Sequence, residues 1–166
     1  MKTEIENYHA CLAAVEYRKQ FDTFEQAWDS CERGDWMLWI AAKAGVDKRT
    51  LTLAKGLCAE TVIHLMKDER SIKAVKTAIA YGKGEATDEE LPAAAAAADA
   101  AAYYATHADA AADAYYAADA AADAAAAAYA AAAADAYYAA ARKENRLKTA
   151  TICREVLTEK VLKLIS

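Results

Sequence analysis

Residues 93–141 of this 166-residue chain are 34 alanines, seven tyrosines, six aspartates, Thr106 and His107, with no glycine or proline among them. Alanine loses no side-chain freedom on ordering and has the highest helix propensity, so this composition admits helix and little else. Unbroken, the helix would run about 73 Å, at about 1.5 Å per residue. That is long for a domain of this size, so a bend or a helical hairpin is expected within it. No breaking residue marks the place; residues 106–109 and 117–128 are the two candidate positions.

The tract has faces. The element AADAYY occurs at 111–116 and again at 133–138, a spacing of two 11-residue repeats, which keeps one side of a helix nearly in register. At about 100° per residue, Asp99, Asp109, Asp113, Asp119, Asp123 and Asp135 fall within an arc of about 160°, joined by Tyr116 and Tyr138. Tyr104, Tyr115 and Tyr129 occupy a separate arc of about 40° and are expected to face a core. Residues 85–141 hold ten acids and no Lys or Arg, whereas residues 1–84 hold 13 basic and 12 acidic residues, and 142–166 hold seven and three. The pairs Asp109/Asp113 and Asp119/Asp123 are like charges at i, i+4, each costing an isolated helix about 0.2–0.5 kcal/mol. Solvent, or the basic closing segment with Arg142, Lys143, Arg146 and Lys148, could offset that cost, and so could a basic partner. Under the last reading Asp109, Asp113, Tyr116, Asp119, Asp123, Asp135 and Tyr138 form the partner-binding face, with tyrosine supplying rigid amphipathic contact area.

Elsewhere the chain is punctuated as ordinary helices. Thr23 with Gln26 forms a capping box, and Gly34 suits a helix C-terminus. Asp35 is placed to cap WMLWIAAKA, which Gly45 ends; Asp47 caps a helix expected to run through Met66, with Leu51, Ala54, Cys58, Val62 and Leu65 on one face. Asp68 opens the next helix and Gly82 closes it. Thr87 with Glu90 forms a second capping box, and Pro92 lies in the first turns of the helix it opens. A last helix over about 142–165 carries Ile152, Cys153, Val156, Leu157, Val161 and Leu164 as its apolar face. No segment shows convincing period-two alternation. The expectation is an all-α, compact multi-helix domain with a long or hairpin alanine-rich segment. Its single domain over 1–166 has three parts: Trp-anchored helices at 1–84, the Ala/Asp/Tyr segment at 85–141, and a basic amphipathic helix at 142–166.

Trp28, Trp36 and Trp39 concentrate apolar surface in the first of these parts. They read as core anchors rather than as a pocket for a planar ligand, because no convergent set of polar residues accompanies them. Trp36→Ala is accordingly expected to lower stability by about 3–5 kcal/mol. Cys11, Cys31, Cys58 and Cys153 are scattered among apolar neighbours without a C-x-x-C pair; reduced thiols are expected, and no metal site with His9, His64 or His107.

The stretch FDTFEQAWDSCERGDWMLWIAAKAGVDKRTLTLAKGLCAE, with Ala27, Trp28, Cys31, Arg33, Gly34, Asp35, Trp36, Leu38 and Trp39 as its motif residues, resembles the signature of a family of immunity proteins. This is the type-five-like group associated with bacterial polymorphic toxins, and similar sequences occur in phages. A turn at 84–87, an alanine-rich stretch and a closing helix come next in that family too, so the resemblance covers about residues 8–165. Family members often intersperse arginine in the tract, and this chain has none. The resemblance implies an inhibitor of a toxin or effector and brings no catalytic residues.

These features bound the function. A net charge of -5 argues against direct nucleic-acid or anionic-membrane binding. The charged start, without a signal-like apolar stretch, makes a soluble, cytoplasmic protein of a bacterial or phage-infected cell the expectation. With isolated histidines and no Gly-rich phosphate loop, no enzyme, cofactor or metal is expected. The preferred function is a non-catalytic immunity or counter-defence protein that blocks a basic toxin or defence effector through its acidic face. The alternative is a binder that sequesters a small molecule or nucleotide signal, drawing on Arg18, Lys43, Lys48, Arg49 and Lys55. Ice binding, suggested by 11-residue alanine repeats, lacks the regular threonines it would need.

Overall fold

The computed structural model describes residues 4–66, 68–96 and 136–165, the last stretch with side chains from residue 143 onward. All regular structure among the described residues is helical, so the chain is all-α. A 3-10 turn, Glu4–Tyr8, leads into α1 (Leu12–Arg18), α2 (Phe24–Asp29), α3 (Gly34–Ala44) and α4 (Lys48–Glu60). A second 3-10 turn, Ile63–Leu65, precedes α5 (Glu69–Lys83); residues 90–96 are again helical, and α6 (Ala136–Ile165) closes the chain. Among the described residues no helix is long and apolar enough to cross a membrane.

Side-chain caps set most of the boundaries. The Thr23 hydroxyl accepts from Gln26 N–H and the Gln26 side chain accepts in return from Thr23 N–H. Asp47 accepts from Thr50 N–H, Asp68 from Arg70 and Ser71 N–H, and Thr87 and Glu90 complete their capping box. Each satisfies orphan donors of a first turn. Gly45 ends α3 in the left-handed region at φ 90°, where a side chain would be strained.

Four boundaries differ from the sequence expectation, each for a tertiary reason. Gly34 opens α3 instead of ending the helix before it, because a Cβ there would lie 2.7 Å from Thr149 Cβ. Asp35 sits inside the first turn of α3 and is taken by the Arg33 guanidinium, so Arg33 and not Asp35 occupies the N-cap position. Gly82 lies within α5, where a Cβ would be 2.7 Å from Leu53 Cα, and Gly84 at φ 82° is the residue that ends the helix. The helix from Asp47 stops at Glu60 instead of reaching Met66: the Thr61 hydroxyl donates to Cys58 carbonyl (2.7 Å) and pairs with Asn145 Oδ1 (2.8 Å), and a 3-10 turn comes next. The closing helix is continuous from Ala136, the first residue described in that stretch, through the boundary expected near residue 142.

The packing depends on small residues at the crossings. Gly56 faces Ile79 and Ala78, while Gly82 faces Leu53, so α4 and α5 run antiparallel in close contact. The closing helix lies across both α3 and α4. Cys153, Leu157 and Val161 are fully buried along its inner face, whereas Leu164 is exposed. Cys58 and Cys153 meet there with sulfurs 4.0 Å apart, and Cys153 Sγ lies 3.6 Å from the Gly34 carbonyl. All four cysteines are free, and Cys11 alone is exposed. The hydrogen bond with Cys58, together with burial, pushes the Cys153 thiol up, so it stays protonated and acts as a small hydrophobe.

The acidic segment is fastened to this body where it begins. Tyr81, buried, donates its hydroxyl to Asp88 Oδ1 (2.6 Å), and Lys48 reaches the same carboxylate (3.2 Å). The Arg49 guanidinium lies 4.2 Å above the Tyr81 ring and donates to its carbonyl. These contacts, the tyrosine bond first and Lys48 second, hold the Asp88 carboxyl below its ordinary range. A depressed folded-state pKa contributes stability that is present above the unfolded value, about 4, and lost as pH falls through the folded value. Asp88→Asn is therefore expected to lower the unfolding midpoint at neutral pH and to match the parent in acid. Thermal melts across pH check this; a difference independent of pH would contradict it.

Candidate functional site

The RGDW run forms a joint between α2, α3 and α6. Trp28 is 3% exposed, and its indole N–H donates to Thr158 Oγ1 at 2.9 Å, which gives the buried ring its polar partner. One turn earlier on α6, Arg154 Nη1 donates to the carbonyls of Cys31 (2.7 Å) and Asp29 (3.3 Å), satisfying groups left open where α2 ends. Cys31 is buried beside them, its Sγ 3.6 Å from the Arg33 carbonyl, and burial raises its thiol pKa. Arg33 clamps both oxygens of Asp35, and its guanidinium lies 4.5 Å above the Trp36 ring. Sequence neighbours thus become a cap, a spacer, a charge clamp and an aromatic wall.

On the other side of this joint the structure holds a cavity of about 430 Å³, bounded by the opening 3-10 turn, α1, α2 and the first turns of α3. Trp28, Trp36 and Trp39 all border it, with Tyr17 and Phe24 from the preceding helices. Trp28 is buried, and Trp36 and Trp39 are half-buried rings that pack against the same core while also bordering the cavity. Tyr17 packs at a tilt against Phe21 (5.1 Å between centroids) and Trp36 (5.8 Å), and donates its hydroxyl to the Ala27 carbonyl. Burial, then the nearby Cys31 and Glu32, push that phenol up to about 12. It is a neutral hydrogen-bonding group at every physiological pH.

Polar groups also reach the cavity. Arg18, 7% exposed, lies in the wall and donates from Nη1 to the Phe21 carbonyl at 2.8 Å. His9 stands at the edge in a left-handed conformation, φ 59°, and Asp35 lies opposite under its Arg33 clamp. Sequence reasoning missed Tyr17, Arg18 and His9 as members of one site. The signal for two of them was present: Ala14, Tyr17 and Arg18 share one face of α1 at i, i+3, i+4 spacing.

Asp109, Asp113, Tyr116, Asp119, Asp123 and Asp135 lie outside the described residues, as do both candidate break positions; Tyr138 is described in its backbone alone. Among the described residues no three His, Cys, Asp or Glu side chains gather closely enough to hold a metal ion. No known protein family, curated protein or solved structure matches the chain.

Proposed function

We propose that this chain is a non-catalytic binding protein that neutralises a basic toxin or defence effector by docking it on the acidic, tyrosine-bearing face of the alanine-rich tract. In this reading it acts in the cytoplasm of a bacterial or phage-infected cell, and Asp109, Asp113, Tyr116, Asp119, Asp123, Asp135 and Tyr138 contact the partner. The observation that carries it is the segregation of charge: ten acids and no Lys or Arg across 85–141. Such a surface speeds encounter with a basic partner and selects against acidic ones.

Two features of the body support the reading. Three cations of the closing helix have partners among the described residues: Arg154 on the carbonyls of Asp29 and Cys31, Lys148 on Glu144, and Lys160 beside Asp47. The segment also starts from a fixed point, the Tyr81–Asp88–Lys48 joint, so its first turns leave the body in a defined direction. The resemblance of the RGDWMLW run to immunity proteins supplies the class of partner.

The test compares the parent with the triple variant Asp113→Asn, Asp119→Asn and Asp123→Asn as baits in a bacterial lysate at low salt. The parent is expected to retain a basic protein in about one-to-one amount, with association that slows in the variant and weakens as salt rises. Equal capture by both baits, or binding indifferent to salt, would rule the acidic face out.

A further inference from the structure

The cleft of about 430 Å³ between α1, α2 and α3 is half open to solvent, as a ligand-binding pocket must be. Its cause is visible in the residues that face it: Ala10, Ala14 and Ala27 stand opposite the large rings, where bulkier side chains would fill the gap. The size lies within the range of about 300–1,000 Å³ typical of small-molecule sites, and so does the chemistry of mostly apolar walls with few polar groups.

The walls indicate the ligand class. Five rings, those of Tyr17, Phe24, Trp28, Trp36 and Trp39, favour a flat aromatic body through stacked and edge-to-face contacts. Arg18, which donates from Nη1 to the Phe21 carbonyl, sets its guanidinium in the same wall, a planar cation with five N–H donors suited to carboxylate. Asp35 does not oppose an anion as a bare carboxylate would, because Arg33 holds both its oxygens. We propose that the cavity between α1, α2 and α3 binds a planar aromatic acid of one or two fused rings, with the rings against Trp36 and Trp39 and the carboxylate toward Arg18. Its lining contains none of the residues assigned to the partner-binding face, and the proposal stands or falls without that reading.

The probe is 1-naphthoate, with cyclohexanecarboxylate and the neutral 1-naphthol as comparisons, read out by tryptophan fluorescence and by the shift in unfolding midpoint. The parent is expected to bind 1-naphthoate at one site and to melt higher in its presence. Affinity should be about tenfold or more above that for either comparison compound, a difference of about 1.4 kcal/mol. Ala14→Phe fills the space from α1 and should abolish binding. Trp36→Leu removes a half-buried wall and should weaken binding about tenfold while the fold persists, so it decides the matter if Ala14→Phe fails to fold. No saturable binding to the parent would overturn the proposal. So would equal affinity for cyclohexanecarboxylate, which removes the aromatic requirement, or for 1-naphthol, which removes the role of Arg18. Binding unchanged in Trp36→Leu would overturn it as well.

Discussion

Trp28→Ala is expected to lower the stability of the fold by about 3–5 kcal/mol, the range for emptying a buried site of a large aromatic. The ring is 3% exposed, packs on Phe24 at 6.0 Å between centroids, and hydrogen-bonds Thr158 on the closing helix. Its loss leaves a hole and removes the bond that Thr158 Oγ1 accepts, leaving that hydroxyl only its donation to the Arg154 carbonyl, and it loosens α2 from α6 at the same time. Trp28→Phe keeps most of the apolar area and loses the N–H···O bond, so the expected cost is smaller, about 1 kcal/mol for the bond plus the lost area. Trp36→Ala should cost clearly less than Trp28→Ala, because that ring is half-buried on the cavity side. Urea denaturation of the three variants checks the order; Trp36→Ala as costly as Trp28→Ala would contradict the division between core and wall.

Gly34→Ala is expected to cost about 3 kcal/mol, at the upper end for overpacking a well-packed crossing. The added Cβ would sit 2.8 Å from the Thr149 backbone carbonyl carbon as well as against its side chain. A side chain can turn away, but a helix backbone cannot, so α3 and α6 must separate and the contacts around Cys153 open with them. Gly45→Ala is the control. It meets nothing within 4 Å and suffers only from φ 90°, with an expected cost of about 1 kcal/mol. Equal melting of the two variants would show that Gly34 is not a spacer.

These glycines also mark the limit of what the sequence discloses. Signals that act locally are legible: the Thr23–Gln26 and Thr87–Glu90 boxes, the Asp47 and Asp68 caps and the Gly45 terminator all work through atoms within a few residues. Gly34 and Gly82 carry the same letter for a different reason. Their role is set by Thr149 and Leu53, distant in sequence, so by local signals alone they read as helix ends. Asp35 reads as a cap because nothing local tells whether Arg33 or a backbone N–H will claim the carboxylate. The helix runs without a break from Ala136 past residue 142, because alanine continues a helix without any mark. The cavity is least legible of all. It is made by what Ala10, Ala14 and Ala27 leave empty, and an unfilled volume has no sequence signature until the helices are placed around it.

The measurement that bears most directly on the central claim is the unfolding midpoint of the Asp113→Asn, Asp119→Asn, Asp123→Asn variant at low ionic strength, where screening is least. If the acidic face serves a partner, these carboxylates repel one another in the free protein. Their neutralisation then leaves the midpoint unchanged or slightly raised. If the closing helix neutralises them internally, the variant melts several degrees below the parent, and the acidic face is structural rather than a docking surface.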